Sequence, residues 1–458
     1  QFIKGALLIV FSTILVMYIF KNGLNLIPDH QDQKYHTFIT IQPEMKGGMV
    51  VDAPGYTVEE QMDVGGKIFV KLNKGGVDRW FHLRGKNGGK VLKEMLSMTE
   101  LAGGDKLYNG EPKDSARFFQ VGHLSKILID GKEVEKTGPV GPFQFLAAIE
   151  DSEIIRFTKE KFTDGGNIVT VWHQNPTPGK AMMTPGLKFT IGKEATPLSK
   201  LNFVSLMLAL FLGTSALPHI LIRYYTVPSP RDARKSTIVA IAAIGTFYIL
   251  TLFMGLGAAV NGVLDVSSSN MSAPLLAKAF GVGLFSIISA IAFATILGTV
   301  SGLIVASSGA IAHDFIDNYL KKDLSEKNKV LAGKLAAFGV GIVAIILGIA
   351  FKGVNVSFLV GWAFAVAASA NLPAILMLLF WKKTTAKGIA SSIVVGIGAA
   401  LLIILTSPTM WERYGLDPDQ ALHKLDNPAI ISVTLSLLTL IIVSHLTQKE
   451  NVNKLEME

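Results

Sequence analysis

Eight stretches of this sequence run on with hardly a charge: residues 3–20, 201–223, 237–260, 279–312, 333–351, 356–380, 387–407 and 429–446. About 20 apolar residues in a helix cross the roughly 30 Å of bilayer hydrocarbon, where only helices and closed barrels satisfy their own backbone. The chain is therefore expected to be a polytopic, all-α membrane protein. Composition agrees, with 50% hydrophobic residues and a mean hydropathy of +0.42. In a soluble protein the net charge of +8 would point to an acidic partner. Here the basic residues collect in short connections, where they orient the chain, so nucleic-acid binding is not expected. Without any cysteine, disulfides, thiolate metal sites and cysteine nucleophiles are excluded.

Arg223, Arg231, Arg234 and Lys235 follow the second apolar run, Lys321, Lys322, Lys327 and Lys329 the fourth, and Lys382, Lys383 and Lys387 the sixth. These loops are expected in the cytoplasm. Alternation then puts "NGVLDVSSSNMSAP", "SPTMWERYGLDPDQALHKLDNPA" and residues 23–200 outside, and the tail 449–458 inside. The resulting division is a transmembrane helix at 1–22, an extracytoplasmic insert at 23–200, a transmembrane bundle at 201–448 and the tail. The insert carries roughly half of the chain's 43 Lys and Arg, but long domains cross largely regardless of charge.

Within the insert, "GGKIFVKLNKGGVDRWFHL", "KILIDGKEVEK" and "EIIRFTKEKFTDGGNIVTVWH" are alternating runs joined at Gly-Gly, Asp-Gly and Asp-Gly-Gly, the chemistry of hairpins. A β-rich soluble domain is expected, with a helix at "GKVLKEMLSM". His82, His123 and His173 lie far apart in sequence without metal-ligand spacing, so zinc is not expected. The insert reads as an accessory; the functional alternative is a lid or docking surface. The chain opens at Gln1, almost directly in an apolar run and without a signal-peptide layout, which reads as a fragment lacking an N-terminal part.

The second apolar run ends in "GTSALPHILIRYYTV". Pro218 removes a backbone donor and frees the carbonyl of Thr214, while Gly213 and Ser215 permit close approach or local unwinding. Two readings compete: a proline kink, or a discontinuous helix whose free backbone groups bind a ligand near the midplane. His219 either faces a cavity, as ionisable groups in membranes usually do, or marks the interface beside Arg223, which reads with Tyr224 and Tyr225 as an interfacial anchor. In "GWAFAVAASANLPAILMLLFW", Ala367 to Ala370 read as packing surface, with Asn371 and Pro373 hinging the helix. In "FATILGTVSGLIVASSGAIAHDF", Thr295, Thr299, Ser301, Ser307 and Ser308 are either cation ligands or hydroxyls bonded back to their own helix. No Gly-Lys-Ser/Thr phosphate loop and no nucleophile elbow is present, so neither ATP-driven work nor an enzyme is expected.

"LFLGTSALPHILIRYYTVPSPRDARKS", "AFATILGTVSGLIVASSGAIAHDF" and "VGWAFAVAASANLPAILMLLFW" together resemble the sodium:solute symporter family, and more narrowly its acetate and pyruvate permease branch. The likeness covers 1–20 and nearly all of 201–446. It implies a LeuT-like bundle of two inverted five-helix repeats, of which residues 1–20 are the fifth helix and 201–223 the sixth, with the first four absent. It implies Phe211, Thr214, Ser215, His219 and Asn371 as substrate-binding residues, and helix breaks at Gly213, Pro218 and Pro373. The sodium site maps to the Thr295 carbonyl and to Gly298 and Thr299, with Gly298 departing from the family's hydroxyl pair and leaving room for proton coupling.

The function implied is a symporter in a bacterial inner membrane that imports a small monocarboxylate, with Na⁺ or H⁺ as coupling ion and no other cofactor. The alternatives are a sodium symporter for an amino acid or sugar, and a membrane-anchored sensory module using the insert. Expected partners are the organic anion, the lipid bilayer, and a missing N-terminal segment or small membrane subunit.

Overall fold

The computed structural model describes residues 2–28, 35–86, 89–187, 189, 191–192, 195–221, 224, 226–320 and 325–455. Arg223, Tyr225, Lys321 and Lys322, read above as anchors and orienting charges, lie outside the described residues. Among the described residues eight helices are long and apolar enough to span a bilayer, the number expected, and each falls on one of the eight apolar runs. The chain divides into two compact units, residues 1–184 with 243–294, and residues 185–242 with 295–458.

The first unit opens with helix α1 (Phe2–Asn22) and continues into strands β1 (Thr40–Ile41), β2 (Glu44–Lys46), β3 (Met49–Asp52), β4 (Thr57–Val64), β5 (Lys67–Lys74), β6 (Val77–Lys86) and β7 (Gly89–Glu94). Then come β8 (Leu96–Glu100), β9 (Lys106–Tyr108), β10 (Glu111–Pro112), β11 (Leu124–Ile129), β12 (Lys132–Val134), α2 (Pro142–Asp151), β13 (Glu153–Asp164), β14 (Asn167–Pro178) and α3 (Gly179–Met182). One antiparallel sheet has the order β1-β7-β6-β5-β4, a second the order β10-β9-β8-β14-β13-β11-β12, and β2-β3 form a separate ribbon. The tight turns fall on Gly65-Gly66, Gly75-Gly76, Asp130-Gly131 and Gly165-Gly166, all at positive φ, as two-residue hairpin loops demand. Phe69, Trp80, Met95, Val169 and Val171 form a buried cluster joining residues of both sheets.

The segment "GKVLKEMLSM" is not a helix. It forms β7 and β8, with Val91, Leu92, Met95 and Leu96 buried and β7 paired to β6 from Lys86↔Gly89 to Phe81↔Glu94. Its Lys, Leu, Met and Glu are good helix formers, but a half-buried ladder overrides that weak local preference.

The strands are bolted to helix ends. Leu26 and Thr137 N–H groups donate to the carbonyls of Glu135 and Leu24, and Val140 N–H to Phe20. Helix α4 (Pro197–Thr214), α5 (Pro218–Leu221) and α6 (Pro230–Val260) follow in the chain, then α7 (Ser272–Ala279) and α8 (Val282–Gly309). The loop after α6 meets the strands at Val121 and Leu264, which exchange N–H to carbonyl bonds of 2.9 and 2.8 Å. Gly262 sits there at φ +69°, where an added Cβ would lie 2.7 Å from the Tyr35 ring. The expected helix 279–312 therefore begins later, after a Gly281 at φ +138°, and passes into a π-helical stretch at Ala310–Tyr319.

The second unit holds α4, α5, α9 (Glu326–Ala350), α10 (Val356–Phe380), α11 (Ala386–Leu405), α12 (Pro408–Arg413) and α13 (Ala429–Leu455). Helix α10 packs against α4, α11 and α13. Small residues set the spacing: a Cβ on Gly361 would meet the Leu206 side chain at 2.7 Å, and one on Gly396 would strike the Ser369 carbonyl.

Pro373 does not break its helix, contrary to expectation; α10 runs through it without interruption. The proline withholds an N–H from the Ser369 carbonyl four residues back, and glycine at 396 lets α11 lie directly against that oxygen. Ala368, Ser369, Ala370, Leu372, Pro373 and Ala374 are all buried, so the helix continues through a tightly packed stretch.

Candidate functional site

The second apolar run is interrupted near its end. Helix α4 stops at Thr214, Ser215 caps it in a right-handed helical conformation, and α5 restarts at Pro218. A reverse turn closes the gap: Ala216 N–H donates to the Gly213 carbonyl at 2.9 Å, and Ile220 N–H to Leu217 at 3.0 Å. Because residue 218 is proline, the Thr214 carbonyl receives no i+4 donor. Gly213 is buried against α10, where a Cβ would stand 2.6 Å from the Cβ and carbonyl oxygen of Phe364. Glycine is thus required by the close approach of two helices.

Asn371 is brought to this break. Its Nδ2 donates to the Ala216 carbonyl at 2.9 Å from the middle of α10. Ala216 is fully buried, and a buried carbonyl without a partner is costly in a bilayer. The asparagine read as a hinge therefore fastens another helix's unwound turn, and Pro373 beside it leaves the helix intact.

The other expected substrate residues cluster around the same turn. Thr214 and Ser215 are exposed, and their hydroxyls donate back to the Leu210 and Leu212 carbonyls at 2.6 and 2.8 Å. Phe211 is 78% exposed, so its ring lies on the outer surface and not in the packed core. His219 is half-buried, in the short α5. Beyond it, Tyr224 shares a 3.1 Å hydrogen bond with Thr237.

The proposed cation ligands lie on α8. Thr299 Oγ1 donates to the Thr295 carbonyl at 3.1 Å, so the two oxygens that the resemblance assigns to sodium are joined within one helix turn, with side-chain-free Gly298 between them. Ser308 likewise bonds back, to Val305 at 3.1 Å. His313 and Asp314, both exposed, pair at 3.0 Å.

A polar hub in the same unit was not anticipated. Asn202 Oδ1 accepts from the N–H groups of Asp426 and Asn427 at 3.1 and 3.0 Å, and Trp362 Nε1 donates to the Asp426 carbonyl at 2.8 Å. Ser205 Oγ bonds to the Asn427 carbonyl at 2.7 Å, and Ser369 to Ser432 at 2.7 Å. These bonds lock α4, α10 and the start of α13. The Asn-Pro pair before α13 was the available signal, a helix-initiating turn.

In the strand region His82 and His173, 91 positions apart in sequence, come together with ring centroids 5.1 Å apart. Arg84 lies between them: its Nε donates to His82 Nδ1 at 3.0 Å and one terminal nitrogen stands 3.4 Å from His173 Nδ1. Burial, then the Arg84 charge, pushes His82 down to about 3, and burial pushes His123 down to about 4.

Comparison with known proteins adds a family likeness. Residues 177–396 match the Sodium:solute symporter family. The chain is 41% identical over 297 residues to the uncharacterized symporter YwcA of Bacillus subtilis, covering 62% of this chain and 56% of that protein. It is 40% identical over 287 residues to the monocarboxylic acid transporter of Corynebacterium glutamicum, covering 60% of this chain and 51% of that protein. The chain thus spans about half the length of the curated relatives it matches. Residues 177–396, which hold the broken helix and the proposed cation residues, are thus similar to the Sodium:solute symporter family.

Proposed function

We propose that the chain forms part of a secondary active symporter that imports a small, acetate-like organic monocarboxylate together with Na⁺ or H⁺ by alternating access. One observation carries the reading: a spanning helix is interrupted at Ser215 to Leu217, and the interruption is secured by Asn371 of another helix. Helices are discontinuous in this way where transporters bind their ligands. The family match and the relative named as a monocarboxylic acid transporter support the substrate class.

On this reading the Thr214 and Ser215 hydroxyls exchange their intrahelical bonds for bonds to a carboxylate, His219 supplies charge or a proton, and Phe211 covers the short alkyl group. Thr295, Gly298 and Thr299 face the coupling ion. A cation that prefers the substrate-competent state couples the two gradients by that preference alone. The remaining ligands belong to the other repeat of a LeuT-like bundle, in a further segment or a small membrane subunit. The insert 23–200 lies outside a bacterial inner membrane and the tail 449–458 in the cytoplasm. The pairing of Val121 with Leu264 supports one part of this, since it puts the insert and the loop after α6 on one face.

Uptake of labelled acetate, proline and glucose into vesicles, under a sodium or a proton gradient, tests the proposal. Acetate should accumulate, and Thr299→Ala should raise the sodium concentration needed while Thr299→Ser should not. Proline or glucose accumulation without acetate would overturn the substrate class, and gradient-independent movement would overturn symport.

A further inference from the structure

We infer that α2, within the strand-rich insert, is an interfacial membrane helix whose first turn, led by Phe143, is buried among lipid. Phe143 is 86% exposed, the highest value for a large apolar side chain among the described residues. It stands on a helix packed along one face, where Phe145, Ala148 and Ile149 are buried. Leaving a phenylalanine in water forgoes about 2–3 kcal/mol of burial, and isolated cases need no explanation, but the position of this one does.

Phe145 lies edge-on to Phe20 of α1 at 5.8 Å and to Phe253 of α6 at 6.2 Å, and those two rings meet at 5.0 Å. Both belong to helices long and apolar enough to span a bilayer. Val140 N–H bonds the Phe20 carbonyl at 2.9 Å. The first turn of α2 is therefore level with the last turn of α1, where the apolar run gives way to Lys21 and Asn22. That level is the boundary between hydrocarbon and headgroups, where aromatic side chains gather, and Tyr18 is 40% exposed one half-turn earlier on α1. Exposed apolar side chains also lie along α1, at Met17, Val10 and Leu7. At its other end α2 finishes in exposed Glu150 and Asp151, so a helix of 10 residues has an apolar and a charged end. The level of this turn, at the end of the apolar run of α1, selects lipid as the occupant.

The chain has no cysteine, so Phe143→Cys gives a unique thiol at a site whose exposure spares the fold. A nitroxide there, in proteoliposomes of the full chain, should collide more often with oxygen than with a water-soluble nickel chelate. Met49→Cys, at a 58% exposed position in β3, serves as the aqueous reference and should show the opposite ratio. The proposal falls if the ratio at 143 matches that at 49. It falls equally if the label at 143 is immobilised and shielded from both reagents, which would indicate a protein partner or a second copy. Neither readout depends on whether the chain carries a solute.

Discussion

Replacing Asn371 by leucine should loosen the broken helix without touching any other contact of comparable strength. The side chain keeps its volume and loses the donor that reaches the Ala216 carbonyl at 2.9 Å. No local donor can take over, because the amide four residues on, Ile220 N–H, is committed to Leu217 at 3.0 Å. Leaving a buried acceptor unsatisfied costs about 1–3 kcal/mol in a soluble core, whereas interhelical polar bonds in membranes average about 0.6 and reach about 1.7, since the unfolded state finds partners too. A loss of about 1–2 kcal/mol is the consistent range, equivalent to a 5–30-fold rise in the open population. Hydrogen exchange of residues 210–221 in lipid nanodiscs should accelerate by that factor, while amides of α11 keep their rates. Asn371→Asp should exceed Asn371→Leu, since it sets an anionic acceptor against a carbonyl. Unchanged exchange across the break in both variants would refute the idea that this bond secures it.

Gly213→Ala should lower the melting temperature in detergent: the methyl group meets Phe364 at 2.6 Å, and overpacking of about 1–3 kcal/mol outweighs the ~1 kcal/mol helix-propensity gain. Gly262→Ala combines a φ of +69° with a Cβ 2.7 Å from Tyr35, so limited proteolysis should cut the loop 261–271 faster than in the parent. His82 and His123 are held neutral, at about 3 and about 4, against roughly 6.5 when unfolded. The unfolded chain therefore binds more protons below that value. Stability is fully present above about pH 6.5 and falls by up to about 1.4 kcal/mol per pH unit per histidine towards pH 4. Tryptophan fluorescence during denaturant titration should show this slope, and His82→Gln with His123→Gln should flatten it.

The spanning helices were legible because bilayer thickness imposes a length and a composition that few other structures share. The break at 215–217 was legible because glycine, hydroxyls and proline crowd one turn. Pro373 also removes a backbone donor yet leaves α10 unbroken, since Ser369 and Gly396 pack closely there, which sequence spacing does not report. The helix expected at "GKVLKEMLSM" failed for the same reason: the pairing of β7 with β6 lies outside any local window. His82 and His173 looked unrelated because strands 91 positions apart bring them together, and only the fold could reveal the arginine between them.

The geometry of the break also separates two roles that the sequence reading merged. Asn371 is engaged from the α10 side with a buried carbonyl, whereas Thr214, Ser215 and Phe211 are exposed on the surface turned away from that packing. A ligand approaching the hydroxyls meets them without displacing Asn371. The asparagine is then a strut that fixes where the unwound backbone sits, anchored in a helix locked to its neighbours by the Ser369–Ser432 and Trp362–Asp426 bonds. Rigid support on one side and exposed hydroxyls, bonded only within their own helix, on the other is what a site needs if it is to change partners without losing its shape. It follows that Ser215→Ala should weaken ligand affinity with exchange at the break unchanged, whereas Asn371→Leu should change both together; the opposite pattern would reassign the asparagine to direct ligand contact.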